Sequence, residues 1–320
     1  MKGIFPTKVP QNILKHSKVR LLCSLHNILS SIIKLCAFDA TGSVMETLAE
    51  DEPVRGVTSL EDRLYLLRGS VSSNQIEVYD VCDSYSLLHY LNVPGLGFAF
   101  DIVVSAHFRC AYVSDTSNQC VHCVPLPGCE VTWWPVNDVP SCLSLTVRNT
   151  VLVTCRKVDM IKEFSTYGVL CREIRLGVAS PWHAVQLCSG NYVVCQGDKA
   201  RRTSHCVCLM DSNGDGLSYQ GVGADGQAMN TPCHMAVDGN EFVFVVDRNN
   251  AQVLLLSPTM TYLREVVSQE ELGLGWKPYR LSVDVERRLL YVAVNEQNNP
   301  GDYTAGRVAV VRLDLSLIHI

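Results

Sequence analysis

Six times along this chain an apolar run is followed by a tight turn, a second apolar run, a polar loop and a third run. That recurrence restricts the fold more than composition does. The clearest copy is Thr231–Leu256, TPCHMAVDGNEFVFVVDRNNAQVLLL. Met235–Val237 opens just after a proline, and Asp238-Gly239-Asn240 supplies residues that tolerate the positive φ of a tight hairpin. Phe242–Val246 is an unbroken β-branched and aromatic run, as expected of a strand buried on both faces. Asp247–Asn250 is a polar loop, and Gln252–Leu256 reads as a third strand. Aligned on this stretch, the copies begin at Pro53, Phe98, Pro140, Pro181, Pro232 and Pro278, at spacings of 45, 42, 41, 51 and 46 residues. Proline suits the entry to a strand because its missing N–H costs nothing before pairing starts.

Third strands are expected at Gln75–Tyr79, Gln119–Val124, Asp159–Phe164, His205–Met210, Gln252–Leu256 and Arg307–Arg312. Fourth apolar stretches follow, such as Leu87–Val93, Leu170–Leu176 and Tyr262–Val267. Four antiparallel strands recurring every ~40–50 residues are the signature of a propeller blade. The expectation is an all-β, six-bladed β-propeller of four-stranded antiparallel blades. The last copy stops after its third strand, and an extra strand precedes the first. Ser43–Leu48 is therefore expected to complete the sixth blade, closing the ring with an N-terminal strand and removing an exposed edge. Residues 1–32 read as a non-repeat helix or linker, and residues 33–314 as the propeller. The final six, LSLIHI (315–320), read as the translation of a sequencing-adapter string.

A formal charge of −5 gives no global attraction to nucleic acid or anionic membrane, so such binding would need a local patch. The 15 cysteines are spread over 320 residues, mostly inside apolar runs, among them Cys110, Cys142, Cys155, Cys188, Cys195, Cys206 and Cys208. They read as small buried groups in a reducing, cytoplasmic protein rather than as a disulfide framework. Leu21–Ile33 is too short and too interrupted for a membrane helix, so no membrane association is expected. The ring itself is expected to be monomeric.

The pattern P-x-x-[LMV]-[AS]-V-[DQ]…G-N-x-[VF]-[FV]-V-x-D-x-x-N-x-x-[VI] resembles the NHL repeat. Pro232–Val253 carries it almost completely, Pro181–Val194 and Phe98–Val121 in part, and Pro140–Phe164 least. The likeness spans roughly residues 33 to 313 as a multi-copy pattern. It resembles the C-terminal domain of tripartite-motif proteins, which implies a platform for RNA or protein, often within a ubiquitin ligase. No RING-spaced cysteine pairs and no coiled-coil heptads occur here. Any ligase activity would lie elsewhere, and this chain is expected not to be an enzyme and to need no cofactor.

Candidate chemistry is sparse. Asp211-Ser-Asn213-Gly-Asp215-Gly216 matches half a calcium loop, but Val222 stands where the bidentate Glu belongs, so a plain turn is expected. Cys120 and Cys123 point to opposite faces of a strand. Cys206 and Cys208 share a face but lack further ligands, so no metal is expected. Two residues after each blade opening lie Arg55, Phe100, Cys142, His183, His234 and Arg280, which should ring the channel mouth. The alternative function is a metal-dependent lyase or hydrolase built on His183 and His234, with no ring carboxylate to act as base. Loops between second and third strands bring Arg68, Arg156, Lys157, Lys199, Arg201, Arg202 and Arg248 to one face, against Asp115, Glu296 and Asp302 in blades two and six. That basic patch is the candidate site for an RNA or protein partner, with Trp182 or Tyr192 for stacking. Solvated loop charges are the plainer reading of the same residues.

Overall fold

In the computed structural model, residues 44–69, 74–126, 130–197, 204–223, 226–299 and 302–313 are described. The expectations for residues 1–32, for 315–320 and for Lys199, Arg201 and Arg202 concern residues outside these. Blade one comprises Val54–Leu60, Arg63–Gly69, Asn74–Asp80 and Ser86–Leu91. Blade two comprises Ala99–Ser105, Cys110–Asp115, Cys120–Pro125 and Thr132–Pro135. In blade three the strands are Leu143–Leu145, Val151–Cys155, Met160–Phe164 and Leu170–Arg175. Blade four follows with Pro181–Gln186, Tyr192–Gln196, Cys206–Met210 and Gly216–Gln220. Blade five, the sequence template, has Pro232–Val237, Val243–Asp247, Gln252–Leu256 and Tyr262–Val267. Blade six takes Trp276–Asp284, Leu289–Asn299 and Asp302–Arg312 from the end of the repeat and Val44–Asp51 from its beginning.

Each blade is a four-stranded antiparallel meander, and the six first strands touch one another in cyclic order around a central channel. This is a closed six-bladed β-propeller. The middles of the second strands are buried, and Val151–Cys155 and Val243–Asp247 are buried along their whole length, because the blades on both sides cover them. Apolar layers fill the gaps between blades, such as Leu67, Ile76, Ile102 and Val113 between blades one and two. The turn Asp238–Glu241 differs from expectation in one detail. Positive φ falls on Glu241 (65°), and the Asp238 carboxylate accepts the N–H groups of Asn240 and Phe242 to hold the turn. Cys188 is exposed and Cys110 half-buried, unlike the other cysteines named above.

Ring closure follows the expected route. The strand Val44–Asp51 pairs with Asp302–Arg312, with Thr47 opposite Ala309 and Leu48 opposite Val308. The seam between blades six and one is stitched by buried Asn295, whose Oδ1 accepts the Val54 N–H at 2.8 Å and whose Nδ2 donates to the Val54 carbonyl at 2.9 Å. Gly306 lies against this pair, and a Cβ there would meet Val54 N at 2.4 Å. Arg68 belongs to the same seam. Its guanidinium is buried, paired with Glu77 at 2.6 Å, and donates to the carbonyls of Glu52 and Gly306. Arg68 is thus a clamp between blades and not part of a binding patch, which corrects its assignment. Asn295→Ala orphans both polar groups of Val54 and is expected to lower unfolding free energy by about 1–3 kcal/mol, read by urea unfolding.

Candidate functional site

The first strands begin beside the ends of the second strands, as Pro232 opposite Asp247 and Pro181 opposite Gln196 show. The channel entrance and the loops between second and third strands therefore share one face of the ring. Five of the six first strands start with a register shift, at Val54/Gly56, Ala99/Asp101, Pro181/His183, Pro232/His234 and Pro278/Arg280. These are β-bulges, and each inserts one residue at the mouth and re-aims the next. The residues that line up across blades are consequently Gly56, Asp101, Cys142, His183, His234 and Arg280. Arg55 and Phe100 were expected in that ring but are the bulge residues one position earlier. The slip arises because the true counterpart of each blade-opening proline is Val54 in blade one and Ala99 in blade two. The second-strand endings carry the signal, since Val113-Ser-Asp115 matches Val245-Val-Asp247.

With the register corrected, the ring holds a carboxylate that the sequence reading missed. Asp101 is fully buried, with Arg280 Nε at 3.2 Å from Oδ1 and the Leu143 N–H donating to Oδ2 at 2.9 Å. Arg280 reaches from blade six past blade one to blade two and also donates to the Phe100 carbonyl. Gly56 lies between them, and a Cβ there would stand 2.6 Å from Ile102 Cγ2. Burial works against the Asp101 charge, but Arg280 and then His234 pull its carboxyl down to about 2. Burial likewise disfavours the Arg280 cation, and Cys142, Tyr279 and Asp101 more than reverse this, so its pKa is raised.

His183 and His234 stack face to face, with centroids 4.1 Å apart and planes 6° from parallel. Each spans a blade boundary. His183 Nδ1 accepts the Met235 N–H at 3.1 Å, and His234 Nδ1 accepts the Leu281 N–H at 3.2 Å. An imidazole whose Nδ1 accepts carries its proton on Nε2. His183 Nε2 accordingly donates to the Leu143 carbonyl at 3.1 Å, and His234 Nε2 faces Asp101 at 3.6 Å. Burial and the neighbouring imidazole hold His183 well below the usual range, and burial holds His234 below it against the pull of Asp101. Both rings are therefore neutral and fully committed. Asp101, Cys142 and His234 lie within 4.8 Å of one another, a spacing that suits a metal. Neither histidine keeps a lone pair for an ion, and Arg280 already neutralises the carboxylate. A metal centre on His183 and His234 is not what this geometry offers.

Above this plug the entrance is lined by arginines lying on aromatic rings. The Arg55 guanidinium lies 4.1 Å from the Phe98 ring centre, Arg156 lies 3.8 Å from Trp182, and Arg307 lies 3.9 Å from Trp276. Arg248 lies 5.5 Å from Tyr279 and 5.2 Å from Tyr303. Arg55, Arg248 and Arg280 converge around Tyr279, and Arg156, Arg248 and Arg280 around Cys233. Burial, together with the Arg280 charge and against the pull of Tyr279, lowers the Arg55 pKa. Of the residues expected on this face, Arg156, Arg248 and the exposed Lys157 are described, and Arg55 and Arg307 lie on rings in the same way as the two arginines. Arg307 was placed at the start of a third strand, and its pairing with Trp276 was missed. Tyr192 is buried in the blade and offers no stacking surface there. Asp115 is likewise buried and hydrogen-bonded rather than an acidic loop charge.

No protein-family model matches the sequence, and a comparison with curated protein sequences finds no match. Solved structures do match. Virginiamycin B lyase from Staphylococcus aureus aligns over 81% of this chain and 88% of its own, at 10% identity and TM-score 0.56. A structural-genomics target assigned as a gluconolactonase aligns over 86% and 94%, at 14% identity and TM-score 0.58. A chain of a nidogen/laminin complex aligns over 72% and 84%, at 12% identity and TM-score 0.56. At such identities the likeness is one of fold. It nevertheless corrects one expectation: the architecture includes lyases, so the assignment of this chain as no enzyme does not stand.

The channel network predicts a definite response to acid. Burial opposes the Asp101 charge, but Arg280 and His234 hold its carboxyl at about 2 in the fold against about 3.9 in an unfolded chain, so its stabilisation of roughly 2–3 kcal/mol is complete above about pH 5 and lost as pH falls towards 2. The two depressed histidines act earlier, because the unfolded chain takes up their protons first and stability declines below about pH 6.5. Denaturant unfolding from pH 8 to 5 is expected to show that decline. Asp101→Asn, which leaves Arg280 buried without its counter-charge, is expected to cost about 3–5 kcal/mol at pH 7.

Proposed function

We propose that this propeller recognises single-stranded RNA at the channel mouth, on the face that carries Arg55, Arg156, Lys157, Arg248 and Arg307. The observation that carries the reading is the set of guanidinium groups held over rings at 3.8–4.1 Å. An arginine resting on an aromatic face is a cation already oriented, so less ordering remains to be done when a phosphate arrives. The same rings and guanidinium planes are surfaces on which bases stack, worth about 1–3 kcal/mol per base. A chain with formal charge −5 that places Arg55, Arg156, Arg248 and Arg307 at one opening concentrates attraction for an anionic strand there. The NHL-like repeat pattern supports the same reading, as the recognition part of a larger tripartite-motif-like assembly. The described cysteines are free thiols, which fits a cytoplasmic setting. No helix among the described residues is long and apolar enough to cross a membrane.

Fluorescence anisotropy with a labelled mixed-sequence single-stranded RNA tests the proposal. Arg156→Glu with Arg248→Glu is expected to weaken binding at least ~10-fold and to flatten the salt dependence by about 1.4 in log–log slope, two phosphate contacts at ~0.7 each. Circular dichroism of the double variant controls for folding. Unchanged RNA affinity in the double variant contradicts the reading. Binding of an acidic peptide in place of RNA assigns the mouth to a protein partner.

A further inference from the structure

Blade two holds a second cluster of metal-donor side chains, outside the channel, that neither the channel network nor the mouth uses. Asp115 ends the second strand, Cys120 begins the third directly opposite it, and His122 follows two residues on, on the same face. All three are buried, and one donor atom from each lies within 4.8 Å of the others. His122 Nε2 is 3.2 Å from Asp115 Oδ2 and 3.5 Å from Cys120 Sγ. A tetrahedral ion with Zn–N and Zn–O bonds near 2.0–2.1 Å and Zn–S near 2.3 Å sets its N and O ligands about 3.3 Å apart and its N and S ligands about 3.6 Å apart. The two separations at His122 Nε2, 3.2 and 3.5 Å, fall close to these values.

His122 differs from the channel histidines at Nδ1. The channel histidines have Nδ1 occupied by a backbone N–H, which fixes the proton on Nε2 and removes the lone pair. His122 Nδ1 is buried with no hydrogen-bond partner, so no backbone N–H pins the ring proton to Nε2; moving it to Nδ1 leaves one buried donor unsatisfied, a cost that zinc binding has to exceed. No arginine or lysine among the described residues is ion-paired with Asp115, whereas Asp101 has Arg280. The carboxylate is also pre-oriented. Oδ1 accepts the N–H groups of Ser117 and Asn118, and Oδ2 accepts the Gly97 N–H at 2.6 Å and the Asn118 side-chain amide at 2.8 Å. Such outer partners fix the direction of a ligating oxygen.

We propose that Asp115, Cys120 and His122 form a zinc site, with Asp115 Oδ2, Cys120 Sγ and His122 Nε2 as protein donors and water in the fourth position. Binding forms one bond from each donor to the ion and releases the Cys120 thiol proton to solvent. The His122 proton moves from Nε2 to Nδ1, and the ion replaces the histidine N–H at Asp115. The site ties the hairpin of blade two to Gly97 and so to Phe98, the ring beneath Arg55.

The test is to dialyse the purified full chain against zinc and then against metal-free buffer, and to measure retained zinc and the melting temperature. One zinc per chain and a zinc-dependent rise in melting temperature are expected for the wild type and for a Cys206→Ser control. Cys120→Ser and His122→Gln are expected to lose both. X-ray absorption of the zinc-loaded wild type decides independently of whether the variants fold, and one sulfur with nitrogen and oxygen neighbours is expected. Absence of retained zinc, retention in both variants, or a shell of two sulfurs pointing to Cys206 and Cys208 overturns the proposal.

Discussion

The ion pair between Asp101 and Arg280 is the interaction on which the centre of this ring depends. A charged pair with no solvent is tolerated only when each remaining donor and acceptor is satisfied. Here the carboxylate takes a backbone N–H from blade three, and the guanidinium donates to carbonyls of blades two and six. One pair thereby joins blade six to blade two across a glycine in blade one. The histidines extend the same device, each accepting a backbone N–H from the next blade. Charge and hydrogen bonding at the axis thus set the blades in register with one another, and the apolar layers between blades supply most of the burial.

A related economy operates near the ends of the second and third strands. Five of the six blades bury polar groups there, and different residues partner them: Arg68 with Glu77, Asp115 with His122, Lys162 with Asp138 and Glu173, Gln196 with Cys206, Asp247 with Gln252 and Asn250. The repeat conserves the need for a partner and leaves its chemistry free. Blade two is the one described blade where the solution also has metal-donor geometry.

The strand pattern was legible because burial imposes a strict period, and the loops obey a narrow turn chemistry. Gln252–Leu256 and Tyr262–Val267 fall where the sequence places them, and Val44–Asp51 closes the ring as its position implies. The channel was legible only in part. A bulge adds a residue without altering composition, so the slip in blades one and two hid Asp101 behind Phe100 and Gly56 behind Arg55. Arg68 looked like a loop cation because sequence shows its position at a strand end but not the carbonyls of Glu52 and Gly306 that enclose it. The pairing of arginines with rings joins residues such as Arg248 and Tyr303, which no local pattern connects.

His183 and His234 are the neutral structural acceptors of the axis, each tied to a backbone N–H of the next blade. Long-range proton–nitrogen NMR correlation of the imidazoles in the folded protein at pH 7 reads this directly. The account predicts that His183 and His234 both carry their single proton on Nε2. A proton on Nδ1 of either ring, or an imidazolium at neutral pH, would contradict it and return the channel to consideration as a site of chemistry.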